Sequence, residues 1–283
     1  MITPEEEAYI LEKAYVPEHI TNLMGPISKG DPFLKEEHLG FGKDNWLIFV
    51  GYPLDGKFSQ AQSERVLKQV VETFRPEVLW FIGPEILPSL MDSCKERETD
   101  RYYTLDLEQT KLKSSLQRAA DKASKELIVE RGHSISKEHD LLIAELLKRE
   151  KLPPRIRELY RAMREYVASS SSACALNAWD RNGKLRAFFV VELGAKNFST
   201  YVLGCHSKKH YVPHASDLLF LEMIKLTREH GKQNINLGLG VNEGIRRFKE
   251  KWGGMPSLNY EFCERFYGTT RTLSLIKSLE GKL

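Results

Sequence analysis

The sequence predicts an α+β protein of two lobes, residues 1–107 and 108–283, with mixed, mostly antiparallel sheets flanked by helices. Two observations lead there. Between Ala173 and Leu203 three strand-like runs follow one another with only short turns between them, Asp180-Arg-Asn-Gly183 and Gly194-Ala-Lys-Asn197. In addition, the pattern strand, glycine, loop, amphipathic helix, strand, glycine occurs twice, at nearly equal spacing, from Gly51 to Gly83 and from Gly204 to Gly238. Residue identity between the two is poor, so an internal repeat and two ordinary strand–helix–strand units both stay open.

The elements follow in order. Thr3 and Pro4 open a helix over 4–14. Residues 19–39 read as loop, broken by Gly25-Pro26, Gly30 and Asp31-Pro32. A strand at Asn45–Val50 precedes a helix with Val66, Leu67, Val70, Val71 and Phe74 on one face, and Val78–Ile82 is the next strand. Tyr102–Leu107 is a strand leading into a basic helix over Glu108–Leu127, whose cations are Lys111, Lys113, Arg118, Lys122 and Lys125. Ile128-Val129 is a short strand, Ser136 caps a helix through Glu150, and Pro153-Pro154 starts another to Val167. After the three consecutive strands, Leu258–Phe266 alternates as a last strand, and Thr270–Leu283 reads as a helix with Leu273, Ile276 and Leu279 inward.

Composition bounds the function classes. Hydrophobic residues at 41% support a sizeable core, and a net charge of +3 gives no field strong enough to announce nucleic acid by itself. The four cysteines, Cys94, Cys174, Cys205 and Cys263, match no metal spacing and read as reduced thiols of a cytoplasmic protein. Packing is the plainer role for Cys205, a nucleophile the other. No apolar run is long enough for a membrane span, so no stable membrane insertion is expected, and the acidic start Met1-Ile-Thr-Pro-Glu-Glu-Glu is unlike a signal peptide.

The richest stretch is Asn197–Gly254. A strand at Phe198–Leu203 stops at Gly204, and the cationic loop His206–His214 leads into a helix for which Ser216 and Asp217 offer a cap. Glu222, Lys225 and Glu229 form a narrow polar stripe on that helix, so its wide apolar face should lie on a sheet. Gly231 ends it, Ile235–Leu237 is a strand, and Gly238 and Gly240 let the backbone turn. A helix start facing a strand end can hold an anion, and Lys208, Lys209 and His210 lie just upstream; a solvated connection is the plainer alternative.

Two motifs carry a resemblance. From Ala173 the order is three antiparallel strands, helix, strand, short helix, strand, which resembles the core of the GNAT acyltransferases. Ser216-Asp-Leu-Leu-Phe-Leu-Glu-Met-Ile224 with Arg228-Glu-His-Gly231, and Gly244-Ile-Arg-Arg-Phe-Lys-Glu-Lys-Trp-Gly-Gly254, are more narrowly similar to the Fem-type branch of peptidoglycan-bridge aminoacyltransferases, as is Leu116–Ala123 to its basic helix. The resemblance implies a tandem GNAT-like fold, substrates meeting between the lobes, and transfer of an acyl or aminoacyl group to a small-molecule or peptide amine. The donor would be a CoA thioester or an aminoacyl-tRNA. The glycine-rich pyrophosphate loop of CoA-using members is replaced by His210–Ala215, where Pro213 lacks an amide donor, which weakens CoA as donor and fits an aminoacyl-tRNA or another activated acyl donor.

Acyl transfer to an amine needs an oxyanion stabiliser, a proton route and alignment of both substrates. On the resemblance, Lys249 of the Phe-Lys pair stabilises developing negative charge, with Glu243 and Glu192 as candidate proton acceptors. Backbone donors come from Val202, Leu203 and Gly204. Lys208, Lys209, His210, Tyr211, Ser216 and Arg246, the last expected on the helical face of Lys249, complete the donor-binding set. Tyr211, Trp252 and the basic helix could hold tRNA by stacking and phosphate contacts. The histidines of the loop show no metal-ligand spacing. The alternatives are an acyl-CoA N-acyltransferase with a divergent loop and a catalytically silent GNAT-like binding protein.

Overall fold

The computed structural model describes residues 2–152 and 154–267, so the helix expected over Thr270–Leu283 lies outside the described residues. The described residues divide into two compact units, one holding residues 2–103, 239–242 and 256–267, the other 104–238 and 243–255.

In the first unit, α1 (Pro4–Lys13) opens on a capping box, Thr3 Oγ1 accepting from the Glu6 amide and Glu6 from that of Thr3. After a 3-10 turn at Pro17–His19 come α2 (Thr21–Ser28), β1 (Asp31–Lys35), β2 (His38–Lys43) and β3 (Trp46–Val50). Then α3 (Gln60–Phe74), β4 (Val78–Gly83), α4 (Pro88–Met91) and β5 (Glu96–Asp106) follow. The loop expected over 19–39 is thus mostly ordered structure. Thr21, Leu23 and Ser28 are buried, and that burial outweighs Pro26 near the end of so short a helix. The hairpin turns on Glu36 at φ 52°, held by a bidentate pair with Arg65 at 2.8 Å, without the glycine that usually signals such a turn.

In the second unit, α5 (Ser114–Ala123), β6 (Leu127–Gly132), α6 (Lys137–Arg149), α7 (Pro154–Ser169), β7 (Ala173–Asp180), β8 (Leu185–Glu192) and β9 (Phe198–His206) run in sequence. They are followed by α8 (Ala215–Glu229), β10 (Asn234–Leu239) and α9 (Glu243–Lys251), and β11 (Met255–Phe266) closes the described chain. The basic helix is shorter than expected because Asp106 Oδ1 accepts the amides of Glu108 and Gln109, holding that segment in a turn. Its apolar residues Leu116, Ala120 and Ala123 are buried, and it packs on α8.

Strand order in the first unit is β1-β2-β3-β4-β11-β5, and in the second β10-β9-β8-β7-β6. β3/β4 and β9/β10 pair in parallel, and each parallel pair is spanned by a helix, α3 or α8. The assignment of residues 108–283 to one lobe needs correction. β11 pairs antiparallel with β4, Phe262 against Ile82 and Cys263 against Phe81, so the last strand belongs to the first unit. Cys94 and Cys263 form a disulfide there, with Cα atoms 5.3 Å apart, which also overturns the reading of all four cysteines as reduced thiols. Cys174 and Cys205 are free and buried. No helix among the described residues is long and apolar enough to cross a membrane.

The two faces of the sheet in the second unit are covered differently. α8 lies on one face, with Leu219, Phe220, Met223, Ile224 and Leu226 buried, each worth about 1.5–3 kcal/mol of burial. Its polar stripe is not idle: Arg131 of β6 pairs with both Glu222 and Glu229. The other face carries α6 and α7, and there Cys205 Sγ donates to the Leu142 carbonyl at 3.2 Å.

Candidate functional site

The ladder between β9 and β10 is short. It pairs Phe198 with Asn234, Ser199 with Ile235 and Thr200 with Asn236, and stops there although both strands run on. Beside the stop, β9 carries a bulge. Tyr201 faces Val191 and Leu203 faces Val190, so Val202 is the extra residue on the longer strand. A bulge leaves its extra residue out of the ladder and re-aims the local backbone. On the β10 side Gly238 has φ 72°, a conformation that glycine adopts without strain. Its amide donates to Asn236 Oδ1 at 2.8 Å. A Cβ built on Gly238 would lie 3.9 Å from both Lys249 Nζ and the Tyr201 carbonyl oxygen. The missing side chain therefore leaves one spot toward which the lysine ammonium and the end of the β9 ladder both face.

Lys249 is only 4% exposed, which is unusual for a lysine. Its placement follows from how α9 docks. Phe220 of α8 stacks on Trp252 at 4.5 Å between centroids and meets Phe248 edge-on at 5.5 Å. Asp217, itself buried, accepts from Lys251 Nζ, from Trp252 Nε1 at 3.3 Å and lies 3.1 Å from His214 Nδ1. The amides of Trp252 and Gly254 both return to the Lys249 carbonyl, at 3.1 and 2.9 Å. Gly253 has φ 92°, and a Cβ on Gly254 would stand 2.6 Å from Leu237 Cδ1 and 3.0 Å from the Lys249 carbonyl oxygen, so a side chain at either position would be strained. The Phe-Lys…Trp-Gly-Gly run is thus a docking device that turns one lysine inward.

Asp217 does not cap α8. The helix begins at Ala215, which puts Ser216 and Asp217 inside its first turn, and the N-cap residue is His214 in the left-handed region at φ 67°, without a side-chain cap bond.

The remaining expected residues scatter. Val202, Leu203 and Gly204 lie on β9 beyond the end of its ladder with β10, and the Gly204 carbonyl accepts from Tyr160 OH of α7 at 3.0 Å. Ser216 sits half-buried in the first turn of α8. Lys208, Lys209, His210 and Tyr211 are exposed, Tyr211 at 58%, with Lys208 Nζ 5.8 Å above the Tyr211 ring. Arg246 is exposed while Lys249 is buried, so although three residues apart on α9 the two meet different surroundings. Glu243 is exposed and pairs with Arg247. Glu192 is fully buried, accepting from Tyr166 OH, from Ser170 Oγ at 3.2 Å and from the Gly194 amide at 2.7 Å.

Several residues here escape sequence reasoning. Thr200 stands opposite Glu192 in the ladder, is 3% exposed, and its hydroxyl has no partner among the described residues. Tyr160 and Tyr166, whose hydroxyls are pushed upward chiefly by burial, reach Gly204 and Glu192 from α7, a helix that the sequence marks only by its arginines. Cys205 is likewise pushed up to about 12 by burial and makes an inert, packed thiol. Among the described residues no group of histidine, cysteine and carboxylate side chains could hold a metal ion.

Neither a protein-family model nor a curated protein sequence matches the chain. Solved structures do resemble it. They include L-PGS from Bacillus licheniformis, at 15% identity and a TM-score of 0.58 over 99% of this chain and 98% of that one. FemX is similar at 10% identity and a TM-score of 0.61, covering 92% and 96%. A tandem GNAT protein from the clavulanic acid biosynthesis pathway is similar at 12% identity and 0.54, covering 83% and 79%. Such identities speak for architecture alone, and on that ground the chain has a Fem-type, GNAT-like α+β fold.

Proposed function

We propose that the chain is an acyl or aminoacyl transferase that moves an activated acyl group to an amine. The observation that carries this reading is the buried Lys249 facing the spot left by Gly238, beside the bulge at Val202 where the β9/β10 ladder stops. An acyl carbonyl at that spot would meet a cation and the re-aimed backbone of Val202–Gly204. In the step proposed, the amine nitrogen attacks the carbonyl carbon and the C=O π pair moves to oxygen. That oxyanion is stabilised by Lys249, and its collapse expels the leaving oxygen or sulfur while the amine loses a proton. Of the two carboxylates, Glu243 is open to solvent for proton uptake, whereas Glu192 already serves three donors.

The Fem-type resemblance favours an aminoacyl-tRNA donor over CoA, and Pro213 supports that preference by removing an amide from the loop before α8. The exposed cations of α5 and the loop, with Tyr211 beside Lys208, are the surface we assign to tRNA. Lys249→Ala tests the assignment. Against aminoacyl-tRNA and acyl-CoA donors with a panel of amines, turnover should fall by about 10²–10³ with donor binding little changed. A variant that keeps wild-type turnover, or a wild type that transfers from neither donor class, would remove the reading.

A further inference from the structure

The loop after β9 contains a ready-made anion cradle, and it is already filled. The amides of Lys208 and Lys209 both donate to Glu145 Oε1, at 2.6 and 3.1 Å. Ser207 Oγ donates to Glu145 Oε2 at 3.0 Å, and the His210 amide closes back on Ser207 Oγ at 3.0 Å. Arg149, one turn further along α6, adds a cation 3.4 Å from Glu145 Oε1. Consecutive amides converging on one acceptor, a hydroxyl and a guanidinium are the donor set that recognises a phosphate oxygen. Here a carboxylate borne by α6 takes that place. Burial opposes its charged form, but the Lys208 and Lys209 amides, Ser207 and Arg149 outweigh burial, so its proton affinity is depressed and it stays ionised.

We infer that Glu145 is a specificity-determining residue that occupies the phosphate cradle of the β9–α8 loop and excludes donors held through a diphosphate. The inference rests on the transferase reading and narrows its donor class. A diphosphate entering the loop must displace three hydrogen bonds and then share the cradle with the displaced carboxylate. Removing the charge abolishes the second cost and weakens the first, because neutral acceptors hold amide and hydroxyl donors less strongly than a carboxylate. The donor is therefore held by contacts outside this loop, with its acyl carbonyl placed before Lys249 and the β9 backbone.

The test measures binding rather than turnover, so its failure is separable from failure of the transferase assignment. The full chain and its Glu145→Gln and Glu145→Ala variants are titrated calorimetrically with inorganic pyrophosphate and with acetyl-CoA at one fixed ionic strength. Wild type should show weak or no binding, and both variants should bind at least about tenfold more tightly. Amide resonances of Lys208 and Lys209 should move on pyrophosphate addition in Glu145→Gln. Equal affinity in all three proteins, absence of binding throughout, or a gain that leaves those two amides unmoved overturns the inference. Glu145→Gln keeps the size and an acceptor oxygen, so it carries the test should Glu145→Ala fail to fold.

Discussion

The two strand–helix–strand units of this chain share their wiring and differ in how their parallel ladders end. In the first, β3 and β4 pair over their whole buried length, from Trp46 against Val78 to Val50 against Ile82, and the Gly51 amide extends the pairing to the Ile82 carbonyl at 2.6 Å. Gly51 and Gly83 sit on the Phe81 ring, where a Cβ on Gly51 would come within 2.7 Å of it. In the second, β9 and β10 pair over three residues and then stop beside a bulge, a left-handed glycine and an inward lysine. The lesson is that a parallel pair becomes a candidate site when its ladder is cut short. The same topology zipped to its end makes only core.

The contrast can be broken by experiment. After the turnover loss expected of Lys249→Ala, the largest effect belongs to the closed unit. The Cys94–Cys263 disulfide links positions 169 residues apart, and removing it by Cys94→Ser should cost about 3–5 kcal/mol, read as a lower denaturant midpoint. An unchanged midpoint would show that the bridge constrains nothing in solution.

Next in size is the response to acid. His19 and His38 are buried in the first unit and burial holds each neutral, lowering its pKa from 6.5 to about 4. His19 lies 2.8 Å from the Tyr52 carbonyl and His38 3.0 Å from Ser63 Oγ. Between 6.5 and about 4 the unfolded chain binds protons that the folded chain does not. Stability contributed by these groups is therefore present above 6.5 and lost as pH falls toward 4, by about 2–3 kcal/mol for each. Thermal melts across that window should show the decline, and His38→Gln should reduce it by about half. A flat profile in the wild type counts against the buried neutral state.

The smallest and sharpest comparison sets two glycines against each other. Gly51→Ala forces a methyl against the Phe81 ring and should destabilise by about 1–3 kcal/mol. Gly238→Ala meets nothing closer than 3.9 Å and should cost about 1 kcal/mol, from its positive φ alone. Yet Gly238→Ala should impair transfer by filling the spot before Lys249, while Gly51→Ala leaves it intact. Equal activity in the two variants would place the reaction elsewhere.

Much of the architecture was legible because its signals are local. The periodicity of 60–74 and 215–229, the Asn182-Gly183 turn and the glycines closing each strand–helix–strand unit depend on residues within one or two turns of each other. The hairpin at Glu36 was not legible, since its left-handed turn residue is stabilised by Arg65 from α3, far along the chain. At the candidate site the identity of the Phe-Lys and paired-glycine motif was readable. What it does was not, because Trp252 and Phe248 acquire meaning only against Phe220.

By itself, then, the sequence determined the order of elements from Ala173 to Phe266, the α+β class and the lysine on which a transferase reading turns. Only the tertiary structure decided where the β9/β10 ladder ends, that β11 returns to the first unit, and that Glu145 fills the loop beside β9. The physical reason is range. Helix and turn preferences are written in neighbouring residues, whereas a bulge, a crossed strand and a carboxylate in a cradle of amides depend on partners tens of residues away, which adjacent residues do not encode.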